Sequence, residues 1–402
     1  MQKLLNIIYL VVLLAAALGL RLYFLGLPGY DFDIQSFLGW GNKINESGFW
    51  HLYANNYYSG SGLNYPPLVP LISAWWLSFG KLFGQINPVY FFKILPTIFE
   101  VLLVVVSSWV VLSSNVKYKG TLLAVIVIQP ALALVSSAWG QVDSILALMI
   151  LLSFLLFEKN KYLGTVLMFL ALLVKPQAII AVLIYFLYLL SKRNFADFVK
   201  QIAVFAALLA LAIFSFRIFG KSDFLSPYLN SVGNFTNSSL NAFNIWWVMH
   251  GSNSWNIQDT IKSGGLTYKS LGMILFAIFE VPAIIYLFYK AKKLPEVLLV
   301  VAYSYLAFFI FPTEIHERYL YPAVALFAIP AILNKNIFWV YLILTVTFLV
   351  NIFAVLQSVY PQFSFLQYNL LNGTWTQAVA AVNILVCIYL GIYLLYEAIR
   401  AD

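Results

Sequence analysis

The segment FPTEIHERYLYPAV, residues 311–324, places two acids, a histidine and an arginine between apolar runs. Arginine presents forked donors that match a phosphate, and histidine can add one more hydrogen bond or a proton. A proline in the first turn of a following helix would leave His316 and Arg318 in the preceding loop, beside a helix N-terminus where anions bind. The segment therefore predicts an anion site. The alternative is a salt bridge from Arg318 to Glu314 or Glu317.

Two carboxylates, Asp31 and Asp33, follow the first apolar run in the sequence LPGYDFDIQSFLGWGNKI. A carboxylate at the mouth of a membrane cavity can accept the proton of an attacking hydroxyl group. Ile34 and Phe37 then recur at helical spacing, so Asp33 can equally be the N-cap of an amphipathic helix. The two roles are compatible, and the spacing does not decide which aspartate would be the base.

Three short motifs between apolar runs carry the next polar groups. Tyr65, in NYPPL, either lines a site or anchors its segment at a membrane interface. The motif WGQVDS, residues 139–144, contributes Gln141 and Asp143, which a tight turn between helices would also tolerate. Lys175, in KPQ, can either extend toward the surface or balance an anionic ligand. The structured turn that the proline and glutamine indicate favours the ligand.

The motif NAFNIWW, residues 241–247, has groups suited to a carbohydrate or a lipid. Asn241 and Asn244 can hydrogen-bond hydroxyl-rich ligands, and Trp246 offers a flat apolar face to a sugar ring or an isoprenoid chain. The alternative is an aromatic belt at the membrane interface. The three histidines are scattered and Cys387 is the sole cysteine. The sequence therefore predicts neither a metal site nor a disulfide framework.

Composition indicates that membrane-spanning helices position these motifs. Of 402 residues, 62% are hydrophobic and 9% are charged, whereas ordinary soluble domains are about 25% charged. Many apolar runs approach the roughly 20 residues needed to cross a bilayer. The chain is therefore expected to be an all-α polytopic membrane protein. Its formal charge of +8 has no basic soluble domain behind it, so nucleic acid is not an expected partner.

Hydropathy predicts about twelve transmembrane helices. They fall near residues 4–27, 91–113, 119–137, 143–157, 162–174, 177–191, 200–217, 271–289, 295–312, 319–333, 336–355 and 379–396. If the N-terminus is cytoplasmic, the lysine-rich connections are cytoplasmic too, as the positive-inside rule expects. Their basic residues are Lys117, Lys119, Lys159, Lys161, Lys192, Arg193, Lys200, Lys290, Lys292, Lys293, Lys335 and, after the last span, Arg400. This orientation places all the polar motifs on the extracytoplasmic face.

The extracytoplasmic face carries two long loops, residues 28–90 and 218–270. Within the first, residues 66–84 could be a further span, but that would place the lysine clusters outside. They are therefore expected to form an interfacial or re-entrant helix. Several spans, such as 162–174, are short, which suits a cavity open to this face. Residues 1–402 are expected to form one transmembrane domain without a soluble C-terminal domain.

Taken in order, the motifs resemble those of GT-C type glycosyltransferases that use polyprenyl-phosphate sugars. The similarity is greatest to prokaryotic relatives of the second mannosyltransferase of GPI-anchor synthesis. It extends to the dolichol-linked glucosyltransferases of the endoplasmic reticulum, whose late loop also opens with His-Glu. The resemblance covers most of the chain: D-x-x-x-F-x-x-W from Asp33 to Trp40, then YPP, WGQVDS, KPQ, NAFNIWW and HERYLYP. Each motif alone is weakly specific, whereas their common order is fairly specific.

The resemblance implies a membrane enzyme that transfers a hexose, mannose before glucose, from a polyprenyl- or dolichyl-phosphate donor to an acceptor hydroxyl with inversion. It implies that Asp33, or Asp31 in its place, is the general base. Arg318, His316 and Lys175 would stabilise the lipid phosphate as it leaves. The implied partners are membrane lipids, the lipid-linked sugar and a glycan, lipid or protein acceptor. No cofactor is expected, and metal dependence, which varies among GT-C enzymes, finds no clean ligand set here.

The expected location is the cell membrane of a prokaryote or the endoplasmic reticulum membrane of a eukaryote, with an extracytoplasmic or lumenal active site. A transporter or lipid flippase for glycan-lipid intermediates is the alternative function. It would also have about twelve spans, but its functional charges would lie near mid-membrane rather than gather at one face. A non-catalytic lipid-binding subunit would not need a carboxylate opposite a cationic phosphate site.

Overall fold

The computed structural model describes residues 2–54, 63, 65–84, 86–114, 119–229, 233, 235–359 and 369–400. Lys117 and Asn64, the first residue of NYPPL, lie outside these ranges. The described chain is almost entirely helical, and its hairpin pairs strand β1 (Lys262–Ser263) with β2 (Leu266–Thr267). Short 3₁₀ turns lie at Phe49–His51, Lys81–Phe83, Pro176–Ala178, Gly251–Trp255, Glu317–Leu320 and Leu370–Asn372.

The α-helices follow one another along the chain with short connections. They are α1 (Gln2–Gly26), α2 (Asp31–Ser47), α3 (Leu68–Gly80), α4 (Pro88–Leu112), α5 (Lys119–Ile128), α6 (Pro130–Ala133), α7 (Asp143–Phe157), α8 (Lys161–Val174), α9 (Ile179–Ser191), α10 (Phe195–Gly220), α11 (Ser226–Leu229), α12 (Ile245–His250), α13 (Tyr268–Tyr289), α14 (Leu294–Ile310), α15 (Tyr321–Leu333), α16 (Lys335–Val359) and α17 (Trp375–Ile399).

Several of these helices are suited to cross a membrane. Among the described residues, α4, α10, α13, α16 and α17 are long and apolar enough, and a sixth span arises if α1 and α2, bent by 82°, count as one. Shorter apolar helices, including α7, α8, α9 and α14, pack among them. The prediction of an all-α polytopic membrane protein is confirmed, whereas the number twelve stays a prediction.

Residues 119–137 differ from the regular span that hydropathy predicts. Pro130 lacks an N–H group and disfavours a helical conformation in the residue before it, so α5 ends there and α6 begins. A wider π-helical turn, Leu134–Trp139, follows and ends at Gly140. Gly140 has a positive φ of 88°, which glycine adopts without a steric penalty. Such π turns are frequent at functional sites, and this one leads directly into WGQVDS.

The turn between α1 and α2 is held by Lys93 of α4, which is fully buried. Its ammonium donates to the carbonyl of Phe24 at 3.4 Å and to that of Leu27, at the end of α1 and just beyond it. Its stem passes between two glycines. A Cβ atom on Gly29 would lie 3.2 Å from the lysine Cδ, and one on Gly140 would lie 3.1 Å from Cγ. Lys93 therefore joins the α1–α2 turn to the π turn.

The buried core lies around α7, α14 and α15, in which most side chains are buried. A buried ion pair adds a polar tie: Nε and Nη2 of Arg21 each lie 2.6 Å from a carboxylate oxygen of Glu100. This forked geometry satisfies both partners in a setting where an unpaired charge would be costly. It fixes α1, the helix that precedes the turn into α2, against α4.

The loop before α12 pairs with the segment between α14 and α15. Leu240 N–H donates to the carbonyl of Ile315 at 2.9 Å, and Glu314 N–H donates to the carbonyl of Asn237 at 3.1 Å. Lys269, at the start of α13, adds an ion pair to Glu314 of 2.6 Å. These contacts fix the backbone from which the side chains of HERYLYP project.

Candidate active site

Asp33 occupies the first turn of α2, and the structure corrects one interpretation of it. The helix begins at Asp31 with Tyr30 in the capping position, so the prediction that Asp33 is the N-cap is wrong. Its Oδ2 instead accepts hydrogen bonds from Nε1 of Trp139 at 2.8 Å and from Nε2 of Gln141 at 2.6 Å. Trp139 is the last residue of the π turn, and Gln141 lies two residues further along the chain.

The second carboxylate oxygen of Asp33, Oδ1, has a different environment from Oδ2. The side chain is 13% exposed, and no group in the described part of the chain donates a hydrogen bond to Oδ1. A carboxylate fixed through one oxygen and open at the other has the geometry of a general base.

Arg318 lies beside this carboxylate. Its Nη2 is 3.9 Å from Oδ2 of Asp33, and its Nη1 donates to Glu317 at 2.9 Å. Its guanidinium carbon lies 5.6 Å above the ring of Trp139, a cation–π distance. Its Nε is buried and has no hydrogen-bond partner among the described residues. The salt bridge between Arg318 and Glu317 is therefore present, and Nε of the guanidinium is left without a partner among the described residues. Glu314 forms its ion pair with Lys269 instead of Arg318.

The charge states around Arg318 follow from burial and neighbouring charges. Burial and the positive charge of Arg318 lower the pKa of His316, so its imidazole is neutral near neutral pH. Burial alone would raise the pKa of the Glu317 carboxyl, but His316 and Arg318 together lower it, and Glu317 is ionised. His316 Nδ1 lies 3.9 Å from Glu317 Oε2. Arg318 therefore stands between two carboxylates as a permanent cation.

Lys175, Asp143 and Gln141 come together behind Asp33. Lys175 Nζ lies 2.8 Å from Oδ1 of Asp143 and donates to Oε1 of Gln141 at 3.2 Å. The hydroxyl of Tyr65 donates to the same Oε1 at 3.4 Å, and Lys175 Nζ lies 5.6 Å from the Tyr65 ring centroid. Burial raises the pKa of Tyr65, which keeps it a neutral donor. Asp143 Oδ2 is buried without a partner among the described residues.

The remaining predicted site residues do not join this network directly. Asp31 is exposed and accepts a hydrogen bond from Gln35 at 3.1 Å. Asn244 caps α12, because its Oδ1 accepts from the backbone N–H groups of Trp246 and Trp247. Trp246 is buried and donates to the carbonyl of Phe311 at 2.8 Å. These side chains shape the loops around the site, and a direct role in ligand binding stays a prediction.

Asn241 contacts the neighbouring residues of the site through its backbone. It adopts a positive φ of 63°, its carbonyl accepts from the side chain of Asn351 at 2.8 Å, and it forms a bridge with His316. Asparagine tolerates this left-handed conformation better than most residues. Asn241 therefore helps to orient His316.

The sequence profile of one family matches most of the region in which these motifs lie: glycosyltransferase family 87, over residues 65–312. The chain belongs to glycosyltransferase family 87. This family confirms the prediction of a membrane glycosyltransferase over that of a transporter. No curated protein matches the chain. The matched region contains Tyr65, Gln141, Asp143 and Lys175 but neither Asp33 nor Arg318, whose roles rest on geometry.

Two groups that position the site of this family 87 enzyme were missed in the sequence. Trp139, part of the WGQVDS motif, was not considered as a partner of Asp33, although an indole N–H is a donor that needs an acceptor when buried. Lys93 interrupts the apolar run PVYFFKILPTIF. A charge inside such a run is costly and marks a functional or structural pairing, so its position alone was a usable signal.

The arrangement combines an open carboxylate oxygen, a cation with an unused buried donor and a neutral imidazole. It can remove a proton from a hydroxyl group and hold an anion a few ångströms away. In the described ranges, no cluster of three or more histidine, cysteine, aspartate or glutamate side chains has the geometry to hold a metal ion.

Proposed function

We propose that this family 87 enzyme transfers a hexose from a polyprenyl-phosphate sugar to an acceptor hydroxyl group on the extracytoplasmic face, with inversion at the anomeric carbon. One observation carries the proposal: Oδ1 of Asp33 is open while Arg318, 3.9 Å from Oδ2, has a buried Nε donor without a partner among the described residues. A base and a neighbouring anion-binding group are the two groups that a glycosyl transfer from a lipid phosphate requires.

The reaction follows from these positions. The acceptor oxygen attacks the anomeric carbon while Oδ1 of Asp33 takes the hydroxyl proton. The bond between the anomeric carbon and the phosphate oxygen breaks, and its electron pair stays on the phosphate, which leaves as polyprenyl phosphate. Attack opposite to the leaving group inverts the anomeric centre.

Arg318 is suited to the charge that develops on the leaving phosphate. A fixed cation in a water-poor site stabilises such a charge more than it would in water, and it needs no reorganisation during the reaction. His316, as a neutral imidazole, adds a hydrogen bond to a phosphate oxygen. Glu317 holds the guanidinium from the other side at 2.9 Å, so its free Nε is directed rather than mobile.

The orientation, sugar and acceptor belong to the proposal as well. The lysine-rich connections support a cytoplasmic location for the opposite face and about twelve spans in the cell membrane, or in the endoplasmic reticulum membrane of a eukaryote. Mannose is the favoured hexose and glucose the next, by the resemblance of the motifs. The acceptor is a glycan, lipid or protein hydroxyl.

The test compares Asp33→Asn with Asp31→Asn. The Asp33→Asn change keeps the size of the side chain but leaves an amide that cannot take a proton, so transfer should fall by about 10²–10⁴-fold. Asp31 is exposed and outside the network, so its variant should stay near the wild-type rate. The assay follows sugar transfer by purified enzyme in lipid nanodiscs, with a panel of polyprenyl-phosphate hexoses. Full activity of Asp33→Asn would contradict the proposal, and loss only in Asp31→Asn would move the base to that residue.

A further inference from the structure

The side-chain amide of Gln141 lies between a cation and the carboxylate of Asp33, and one orientation satisfies both. Lysine can only donate hydrogen bonds, so Oε1 of the amide faces Lys175 Nζ at 3.2 Å. Nε2 then donates to Oδ2 of Asp33 at 2.6 Å. Asp143 binds the same lysine at 2.8 Å. These contacts form a continuous chain from a buried ion pair to the carboxylate.

The members of this chain differ in access to solvent. Gln141 and Asp143 are 0% exposed and Lys175 is 1% exposed, whereas Asp33 reaches the solvent-accessible side. A ligand that contacts Asp33 is therefore separated from the ion pair by the glutamine. A buried ion pair adds little net stability compared with apolar residues of the same size, so stability alone is a weak reason for its presence.

We propose that the Lys175–Asp143 pair positions the base: it fixes the amide of Gln141, which holds Oδ2 of Asp33 and leaves Oδ1 to take the acceptor proton. The inference rests on the proposed function and extends it to residues that touch no substrate. It also assigns Lys175 to the support of the base instead of to the binding of the lipid phosphate. Its ammonium is already neutralised by Asp143, whereas Arg318 keeps a donor without a partner among the described residues.

The two charges of the pair make opposite predictions. Asp143→Asn leaves Lys175 as an uncompensated cation behind Gln141, which stabilises the ionised form of Asp33. The acidic limb of the pH–rate profile should then move to lower pH. Lys175→Met leaves the negative charge of Asp143 and removes a donor from Gln141, which destabilises the ionised form. The acidic limb should then move to higher pH.

Other titratable groups remain unchanged in both variants. Those that face Asp33 are Arg318, His316, Tyr30 and Tyr65, and Glu317 contacts Arg318. Those that face the ion pair are Tyr65, Tyr305, Tyr319 and Tyr321. Burial raises the pKa of Tyr30 and of Tyr65, so neither contributes to an acidic limb. The opposite shifts can therefore be assigned to the charges of the pair.

The experiment measures kcat and donor KM across about pH 5 to 9 for both single variants and for the double variant Lys175→Met/Asp143→Asn. Each single change should move the acidic limb by about one pH unit, the effect of a unit charge one amide group away in a poorly solvated site. The double variant removes both charges, which avoids an unpaired buried ion if a single variant does not fold. Its kcat should fall about tenfold at nearly unchanged donor KM, because the hydrogen bond from Lys175 that fixes the amide of Gln141 is lost.

The matched control is Lys161→Met/Asp197→Asn. This lysine–aspartate pair has the same chemistry, with a 2.6 Å contact, but both side chains are about 30% exposed at the beginnings of α8 and α10. It should leave kcat and the pH profile unchanged.

Four outcomes separate the inference from the proposed function. Opposite shifts of the acidic limb and a lower kcat in the double variant would support the positioning role. Shifts in the same direction, or a double variant with wild-type kcat, would overturn it. If Asp33→Asn is inactive while the double variant is unaffected, only the positioning role fails. If Asp33→Asn is fully active, Asp33 is not the general base, and the proposed function itself is contradicted.

Discussion

Replacing Arg318 tests the anion site most directly. The guanidinium makes a 2.9 Å contact to Glu317, lies 3.9 Å from Asp33 and has a buried Nε free among the described groups. A unit charge about 4 Å from a phosphate oxygen is worth about 4 kcal/mol at the effective dielectric constant of such sites. Losing one preorganised donor to a developing oxyanion costs about 2.7–4 kcal/mol. Both magnitudes predict that kcat/KM for the donor falls by roughly 10²–10³-fold in Arg318→Met.

A single variant would mix this effect with a loss of stability. Glu317 is buried, and removing its cation leaves an uncompensated carboxylate, which typically costs about 3–5 kcal/mol. The double variant Arg318→Met/Glu317→Gln removes both charges and keeps both side-chain volumes. It should unfold near the wild-type temperature while still losing donor use. Arg318→Lys keeps the charge but not the fork, and should retain more activity than Arg318→Met.

The assay varies the polyprenyl-phosphate sugar at saturating acceptor and then the acceptor at saturating donor. The loss should fall on the donor series, because the guanidinium is assigned to the phosphate. Arg193→Met, at an exposed turn between α9 and α10, is the control for a lost arginine. If the stable double variant keeps kcat/KM for the donor within about twofold, or if only acceptor use changes, Arg318 does not hold the phosphate.

Two further predictions concern the supports of the site. The Lys93→Met variant keeps the stem between Gly29 and Gly140, but the carbonyls of Phe24 and Leu27 lose the ammonium donor. The free energy of unfolding should therefore fall by about 1–3 kcal/mol, and kcat should fall with it. Wild-type stability in chemical denaturation and wild-type activity in transfer assays would refute this role. Burial and Arg318 lower the pKa of His316 in the folded state, so the stability it contributes is present above the unfolded pKa of about 6.5 and is lost as the pH falls below it. Thermal unfolding between about pH 7 and 5 should therefore depend less on pH in His316→Gln than in the wild type, and an identical dependence would contradict the assignment.

Hydropathy predicts the class of the fold, and motif order predicts several of the residues that the structure brings together. Lipid leaves backbone groups no water to pair with, so the apolar runs are expected to be helices. The charge bias of the connections predicts that the polar motifs lie on one face. Asp33, Gln141, Lys175 and Arg318 lie far apart in the chain, yet the structure brings them into one network. Isolated ionisable groups are costly at a membrane, and this cost favours their assembly into one network.

The pairing inside the network was not predictable from residue types. Lys175 and Arg318 are both cations on one face, and only the contacts show that one is neutralised by Asp143 while the other keeps a free donor. The capping role expected of Asp33 also failed on a local detail, since the helix starts at Asp31, three residues earlier than that role requires. Helix starts depend on the turn that precedes them, and here Lys93 and the π turn set that turn from elsewhere in the chain.

The charge balance of the network bears on how an anionic donor would enter it. Asp33, Asp143 and Glu317 carry three negative charges against the two positive charges of Lys175 and Arg318, with His316 neutral. An arriving phosphodiester would add a further negative charge to a site that is already negative, and this opposes binding. The charge of Lys175 is paired with that of Asp143, so Arg318 is the cation that must offset the charge of the phosphate. His316 adds a hydrogen bond as a neutral imidazole.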